Sequence, residues 1–186
     1  MRILLIMTLG FLLSACASTT QKKNPPVLQT WNTVGQNIWS VSDGVLISSA
    51  EPGKSYLVSP NAYTNFRLEL EFKPDANVNS GVFVNCETST EISSKTCFEA
   101  NIADNHKTPE SRTGSIVGHA PPATKQDTIG KWNTLAVTIN DGKVIVKVNG
   151  VKTAETSSTA HPRGFVGLQR FKDGVIQFRN VTITRI

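Results

Sequence analysis

Residues 66–73, Phe66-Arg67-Leu68-Glu69-Leu70-Glu71-Phe72-Lys73, alternate apolar and charged side chains without a fault. Successive side chains of a strand point to opposite faces, so this stretch has one face for a core and one for water. Shorter strand signals recur along the chain with turn residues between them. Val45-Leu46-Ile47 follows Asp43-Gly44, Tyr56-Leu57-Val58 follows Pro52-Gly53, and residues 81–86 and 97–103 read as two further strands. Residues 133–140 bring Leu135, Val137 and Ile139 together, and residues 143–148 do the same for Val144, Val146 and Val148. The dipeptides Asp141-Gly142 and Asn149-Gly150 suit tight hairpin turns that need positive φ, so this part is an antiparallel meander. Residues 164–169 and 175–186 finish the chain, where Ile176 and Phe178 share one phase and Val181 and Ile183 the other. That change of phase predicts a bulge near Arg179-Asn180. No segment beyond the N-terminal region sustains a helical apolar period. The pattern predicts one all-β domain, a two-sheet antiparallel β-sandwich of jelly-roll type. Trp31, Trp39 and Trp132 are read as core residues, with Trp31 near enough to the N-terminal region to be exposed.

Residues 1–15 carry one early charge, Arg2, then an apolar run broken only by Thr8 and Gly10. This is the pattern of a signal peptide, since a spanning helix needs about 20 apolar residues. Leu13-Ser14-Ala15-Cys16 resembles the lipobox of bacterial lipoproteins, which implies that Cys16 becomes the lipidated first residue; the alternative is an ordinary signal peptide with a chance Cys at the cut. Acyl chains on one residue hold a protein to a bilayer surface without spanning it. Ala17-Ser18 follow, with no Asp directly after the Cys, which resembles lipoproteins sorted to the outer membrane of a Gram-negative cell. Residues 16–26 are polar and end in Pro25-Pro26, a flexible tether. Residues 27–186 then form a single domain of about 160 residues, long enough for a full core.

Lys and Arg number 19 against 14 Asp and Glu, a net charge of +5 that falls to +4 when Arg2 leaves with the signal. The charge is mild and scattered, without a nucleic-acid footprint. No helix or heptad predicts an oligomer. With Cys16 lipidated, Cys86 and Cys97 remain, and export to an oxidising compartment favours a disulfide closing the polar loop 87–96. Two free buried thiols are the alternative, because the sequence does not show whether the strand ends approach closely enough.

The segment Cys97-Phe98-Glu99-Ala100-Asn101-Ile102-Ala103 places Phe98, Ala100 and Ile102 on one face and Glu99 and Asn101 on the other. The outer pair runs straight into Asp104-Asn105-His106. Two carboxylates, amides and an imidazole thus crowd one strand and its exit, a set that binds sugar or moves protons. Each member also has a plainer reading: Glu99 as a surface carboxylate opposite a cross-strand cation, Asp104-Asn105 as a turn, His106 as a solvated loop residue. His119 and His161, beside prolines, read as loop residues.

Residues 38–186 resemble the 3-keto-disaccharide hydrolase domain family, which has the concanavalin A-like lectin/glucanase sandwich. The resemblance rests on Trp39-Ser40-Val41-Ser42-Asp43-Gly44-Val45-Leu46, Asn65-Phe66-Arg67-Leu68-Glu69, Asn79-Ser80-Gly81-Val82-Phe83, Phe98-Glu99-Ala100-Asn101-Ile102-Ala103-Asp104-Asn105 and Thr113-Gly114-Ser115-Ile116. It continues through Gly130-Lys131-Trp132-Asn133, Val148-Asn149-Gly150, Gly167-Leu168-Gln169 and Phe178-Arg179-Asn180-Val181. It implies a saccharide ligand and cleavage of the glycosidic bond of oxidised, 3-keto sugars. In that chemistry a ketone at C3 acidifies the proton at C2, a base removes it, an electrophile holds the enolate, and the aglycone leaves. The implied catalytic set is Glu99 or His106 as base and Asp104 as a second acid. Asp104 is, with His106, also a candidate ligand pair for a divalent metal, and the sequence names no definite cofactor. Asn79, Asn101 and Gln169 are the implied sugar-hydroxyl partners, and Arg179 the cation near the site. The chain departs from the family pattern at Asn85, where an Arg is usual, and at Asn101, where a Gln is usual. Arg170-Phe171-Lys172 stand where an acid, a His and a Gly are common. A non-catalytic carbohydrate- or envelope-binding lipoprotein is the alternative reading.

Overall fold

The computed structural model of the chain describes residues 27–186. The expected signal peptide, Cys16 and the expected tether lie outside the described residues. A single helical turn, α1 (Val27–Thr30), leads into β1 (Asn32–Gly35), β2 (Trp39–Ser42), β3 (Val45–Ser48) and β4 (Gly53–Val58). Next come β5 (Phe66–Pro74), β6 (Asn79–Cys86), β7 (Phe98–Ile102) and β8 (Asn133–Asn140). The last four are β9 (Lys143–Val148), β10 (Val151–Ser157), β11 (Phe165–Lys172) and β12 (Ile176–Arg185). All pairings are antiparallel. A five-stranded sheet has the order β1-β4-β11-β6-β7, and a seven-stranded sheet the order β10-β9-β8-β5-β12-β3-β2. The chain is the all-β two-sheet sandwich that the alternation predicts.

The core lies between the sheets and is built by that alternation. Phe66, Leu68, Leu70 and Phe72 of β5 point inward and meet Leu135, Val137 and Ile139 of β8 and Val82 and Val84 of β6. The hairpins turn where expected, with Asp141 and Gly142 at φ 47° and 80° and Asn149 and Gly150 at 49° and 80°, the doubly positive pair of a tight hairpin turn. In β12 the register against β5 shifts between Arg179 and Thr182, and Asn180 stands at φ 53°, which is the predicted bulge. Trp39 is core and Trp31 packs against it. Trp132 departs from the expectation, because its half-buried ring lies under the Arg179 guanidinium, 4.0 Å away, rather than in the core. His119 and His161 do sit in loops, but their rings pack 5.1 and 5.8 Å from that of Phe98 and help to close the core beside β7.

A second, smaller apolar cluster lies on the outer face of the five-stranded sheet: Tyr56, Val58, Phe83, Cys86, Ile92 and Cys97. Cys86 and Cys97 are joined in a disulfide with Cα atoms 4.2 Å apart, closing the connection between β6 and β7. The loop so closed is polar except for Ile92, which folds back over Phe83 and Gly167. A cyclised loop with one apolar anchor thus makes a wall on a face that would otherwise be open. The far edge of β7 is covered by a bridge from Ala100 to Ile116, with Val117 N–H donating to the Glu99 carbonyl.

Candidate functional site

Sheet register decides which side chains meet on that outer face. Asn79, Phe171 and Lys54 form one row across β6, β11 and β4. Asn101, Gly81, Gln169 and Tyr56 form the next, across β7, β6, β11 and β4. Glu99, Phe83, Gly167 and Val58 form the third. Ile92 of the disulfide loop covers Gly167 of the third row, and Lys54, Phe171 and Asn79 of the first row, Gln169 and Asn101 of the second and Phe83 and Glu99 of the third line a cleft of about 320 Å3. Ser93 and Ser94 of the loop and Val117 beyond β7 make its walls, and His106 and Ser111 border it on the β7 side.

Glu99 is the one carboxylate among the described residues lining this cleft. Its side chain leans over Gly81: a Cβ built there would lie 3.2 Å from Glu99 Oε1 and 3.2 Å from the Ala100 carbonyl oxygen. The missing side chain of Gly81 is therefore what admits the carboxyl group to the middle row. Burial pushes the Glu99 carboxyl up to about 7, against the opposing pull of the Lys54 charge. A carboxyl poised near neutrality is matched to proton transfer at neutral pH.

The two amides flanking Gly81 are almost wholly buried, Asn101 at 2% and Gln169 at 7% exposure. Asn101 Nδ2 donates to the Ser111 carbonyl, and Gln169 Nε2 lies 3.4 Å from the Tyr56 hydroxyl. Asn101 Oδ1 and Gln169 Oε1 have no partner among the described residues. A buried acceptor left unpaired costs about 1–3 kcal/mol, so these two oxygens are suited to a ligand rich in hydroxyl donors. His106 borders the cleft with its Nδ1 3.1 Å from the carbonyl oxygen and 3.2 Å from the amide nitrogen of Thr108, which fixes the ring.

Of the residues singled out from sequence, Glu99, His106, Asn79, Asn101 and Gln169 are brought together here. Two are not. Asp104 turns away from the cleft: Oδ2 accepts from the Thr128 amide at 2.6 Å and Oδ1 from the Thr128 hydroxyl at 2.9 Å. It anchors the segment before β8, because the chain has already left β7 and its side chain reaches a partner that no local pattern reveals. Arg179 lies on the other sheet, where its Nε donates to Glu71 at 2.7 Å and its guanidinium covers Trp132. That face carries a groove of about 440 Å3 whose acids, Glu69 and Glu71, are both paired with arginines. Asp104 and His106, the expected ligand pair for a divalent metal, do not line the cleft together, since both Asp104 oxygens accept from Thr128. Among the described residues no three His, Cys, Asp or Glu side chains gather as a metal would require.

The departures from the family pattern have separate explanations. Asn85 is buried at φ 52°, and its Nδ2 donates to the His161 carbonyl at 2.6 Å, so it shapes the end of β6 beyond the cleft. Arg170 points to the opposite side of β11 from Gln169 and Phe171. Its fully buried guanidinium donates to the carbonyls of Ser49, Glu51, Gly53 and Lys172. It ties the β3–β4 loop to the end of β11 and so holds the start of the strand that carries Lys54. Lys54 and Phe171 both line the cleft; sequence reasoning missed the first, which sits in an ordinary strand with no local signal.

Comparison with known proteins places this geometry. Residues 23–184 match the family model described as a 3-keto-alpha-glucoside-1,2-lyase-like domain. The chain belongs to this family. A Parabacteroides distasonis ATCC 8503 protein provisionally named a glycosyl hydrolase has a similar structure, with a TM-score of 0.73 and 27% identity over 86% of this chain and 95% of that one. A second such protein from the same organism gives a TM-score of 0.69 at 21% identity, over 81% and 84% of the two chains. The carbohydrate-binding module CBM66 of Bacillus subtilis shares the fold, with a TM-score of 0.64 and 16% identity over 82% and 94%. No curated protein matches the sequence.

Proposed function

We propose that the cleft beside Glu99 binds a 3-keto-α-glucoside and cleaves it by elimination. The observation that carries this reading is the single carboxylate in the cleft, Glu99, leaning over Gly81 between two buried amides and held by burial near neutrality. The sugar lies over the middle row, its hydroxyls meeting Asn101 and Gln169. The Glu99 carboxylate takes the C2 proton, and the C–H electron pair passes into the C3 ketone as an enolate. The donors facing that oxygen are His106 and the amide N–H groups of Asn79 and Gln169. Return of the pair forms the C1–C2 double bond and breaks the C1–oxygen bond, so the aglycone departs with the electrons. Addition of water across the new double bond would give the free 3-keto sugar, the hydrolytic outcome.

A non-catalytic, carbohydrate-binding role is the second reading. It is favoured by the engagement of Asp104 with Thr128, which leaves one carboxylate in the cleft, and by the fold shared with a binding module. Incubating the full-length chain with a 3-keto-α-glucoside bearing a chromogenic aglycone separates the two. Aglycone release that is lost in Glu99→Gln supports the enzyme; binding by calorimetry without release supports the binding role, and neither sinks both. We also propose that Cys16 is lipidated and anchors the domain to the cell envelope, at the outer membrane of a Gram-negative cell. Cys16→Ser should then move the protein from the membrane to the soluble fraction, and an unchanged membrane fraction would refute the anchor.

A further inference from the structure

Among the described residues, Phe171 is the one aromatic side chain of the cleft that belongs to neither apolar cluster. Tyr56 and Phe83 belong to the outer apolar cluster and stack edge to face at 5.5 Å, and the half-buried Tyr63 and Phe165 pack against one core cluster or the other. Phe171 is half-buried and packs against neither cluster. The Lys172 ammonium lies over its ring, 5.5 Å from the ring centre. Asn79 flanks it on β6 and Lys54 on β4, in the row of the three that lies farthest from the disulfide loop. Lys54 is exposed and makes no ion pair among the described residues, although its charge reaches Glu99.

Distance along the sheet relates this row to the chemistry. Residues two apart on a strand are separated by about 7 Å, so Phe171 lies about one row from Gln169 and Gly81. Glu99 reaches that middle row by leaning over Gly81. With a monosaccharide ring over the middle row and C2 at the Glu99 carboxyl, a group attached at C1 and extending along the strands meets either Phe83 with the disulfide-loop wall or Phe171 with Lys54. The disulfide loop, with Ser93, Ser94 and Ile92, bounds the former direction.

We propose that Phe171 and Lys54 form the leaving-group subsite, and that the group taken there is aromatic, its ring stacked on Phe171 and its departing phenolic oxygen facing the Lys54 ammonium. This rests on the elimination reading above. When the C1–oxygen bond breaks, the electron pair stays on oxygen as a phenolate, Glu99 holds the proton taken from C2, and the phenolate later takes a proton from water. A stacked aromatic pair and a facing cation both act on the leaving group and leave the sugar's own contacts untouched.

The test uses the full-length chain with methyl 3-keto-α-glucoside and a series of aryl 3-keto-α-glucosides whose phenols differ in acidity. The readout is the ratio of aryl to methyl kcat/KM, because intrinsic leaving-group reactivity cancels when variants are compared. Loss of the stack is expected to lower that ratio about tenfold in Phe171→Ala. Phe171→Leu keeps the bulk and removes the ring, and should behave alike. In Lys54→Met the fall of kcat with decreasing phenol acidity should become steeper. An unchanged ratio in both Phe171 variants, or an unchanged slope in Lys54→Met, overturns the leaving-group assignment and leaves the elimination reading intact. Failure of the wild-type chain to cleave any member of the series overturns both.

Discussion

Glu99→Gln should stabilise the protein in alkaline solution, even though it removes the proposed base. The Glu99 carboxyl titrates at about 7 in the folded chain against an ordinary value of 4.5, with burial as the main cause. Unfolding therefore releases a proton between those two values, and the folded state loses stability as pH rises through that window. At about 1.4 kcal/mol per pH unit the cost approaches about 3 kcal/mol by pH 8 and is nearly absent at pH 4. The Gln variant does not ionise and escapes it. For a domain of this size, that difference corresponds to a Tm gap that widens by roughly 6–10 °C between pH 4 and pH 8. Paired thermal scans of the two proteins across this range read it directly, and any constant packing offset of Gln cancels between pH values. A gap independent of pH would mean that the Glu99 carboxylate is solvated, and a gap that narrows with rising pH would mean that it is stabilised by a partner. Either result refutes the reasoning.

Other substitutions separate site from scaffold. Gly81→Ala places a methyl group 3.2 Å from Glu99 Oε1, so the carboxyl must shift by a few tenths of an ångström; kcat/KM should fall by about tenfold to a hundredfold with little change in Tm, and an unaltered kcat/KM would remove Glu99 from the chemistry. Gly164→Ala puts a Cβ 2.3 Å from the Asn85 carbonyl carbon and 2.4 Å from the Cys86 carbonyl oxygen, all backbone that cannot yield locally. A loss of about 3 kcal/mol is expected in denaturant titration. Arg179→Ala breaks the Glu71 pair and uncovers Trp132 on the opposite sheet; it should cost about 1 kcal/mol of stability and leave turnover unchanged, which a kinetic assay checks.

The sandwich was legible because its signals are local. Phe98, Ala100 and Ile102 do face the core while Glu99 and Asn101 face out, as a period of two requires. The Asp-Gly and Asn-Gly turns and the bulge at Asn180 likewise depend on neighbours in sequence. The disulfide followed from the even number of cysteines left after Cys16 and from the oxidising compartment that the N-terminal pattern led one to expect. What could not be read is anything that depends on sheet order. Arg179 points outward as its phase says, but whether it shares a face with Glu99 depends on which sheet holds β12. Lys54 and Phe171 meet Asn79 only through the β4-β11-β6 order. The direction of Asp104 depends on Thr128, 24 residues away and held by the path of a long loop. Ile92 shows the same limit in reverse: one apolar residue in a polar loop is a faint signal, yet it decides where the cleft ends.

The account turns on Glu99 acting as a base in its ionised form. The most direct measurement is kcat/KM for a chromogenic 3-keto-α-glucoside from pH 5 to pH 9, since that ratio reports the ionisation of the free enzyme. The account predicts a rise with pH that levels off above a midpoint near 7, and the loss of that limb in Glu99→Gln. A profile that falls through neutral pH, or one that stays flat, would contradict it.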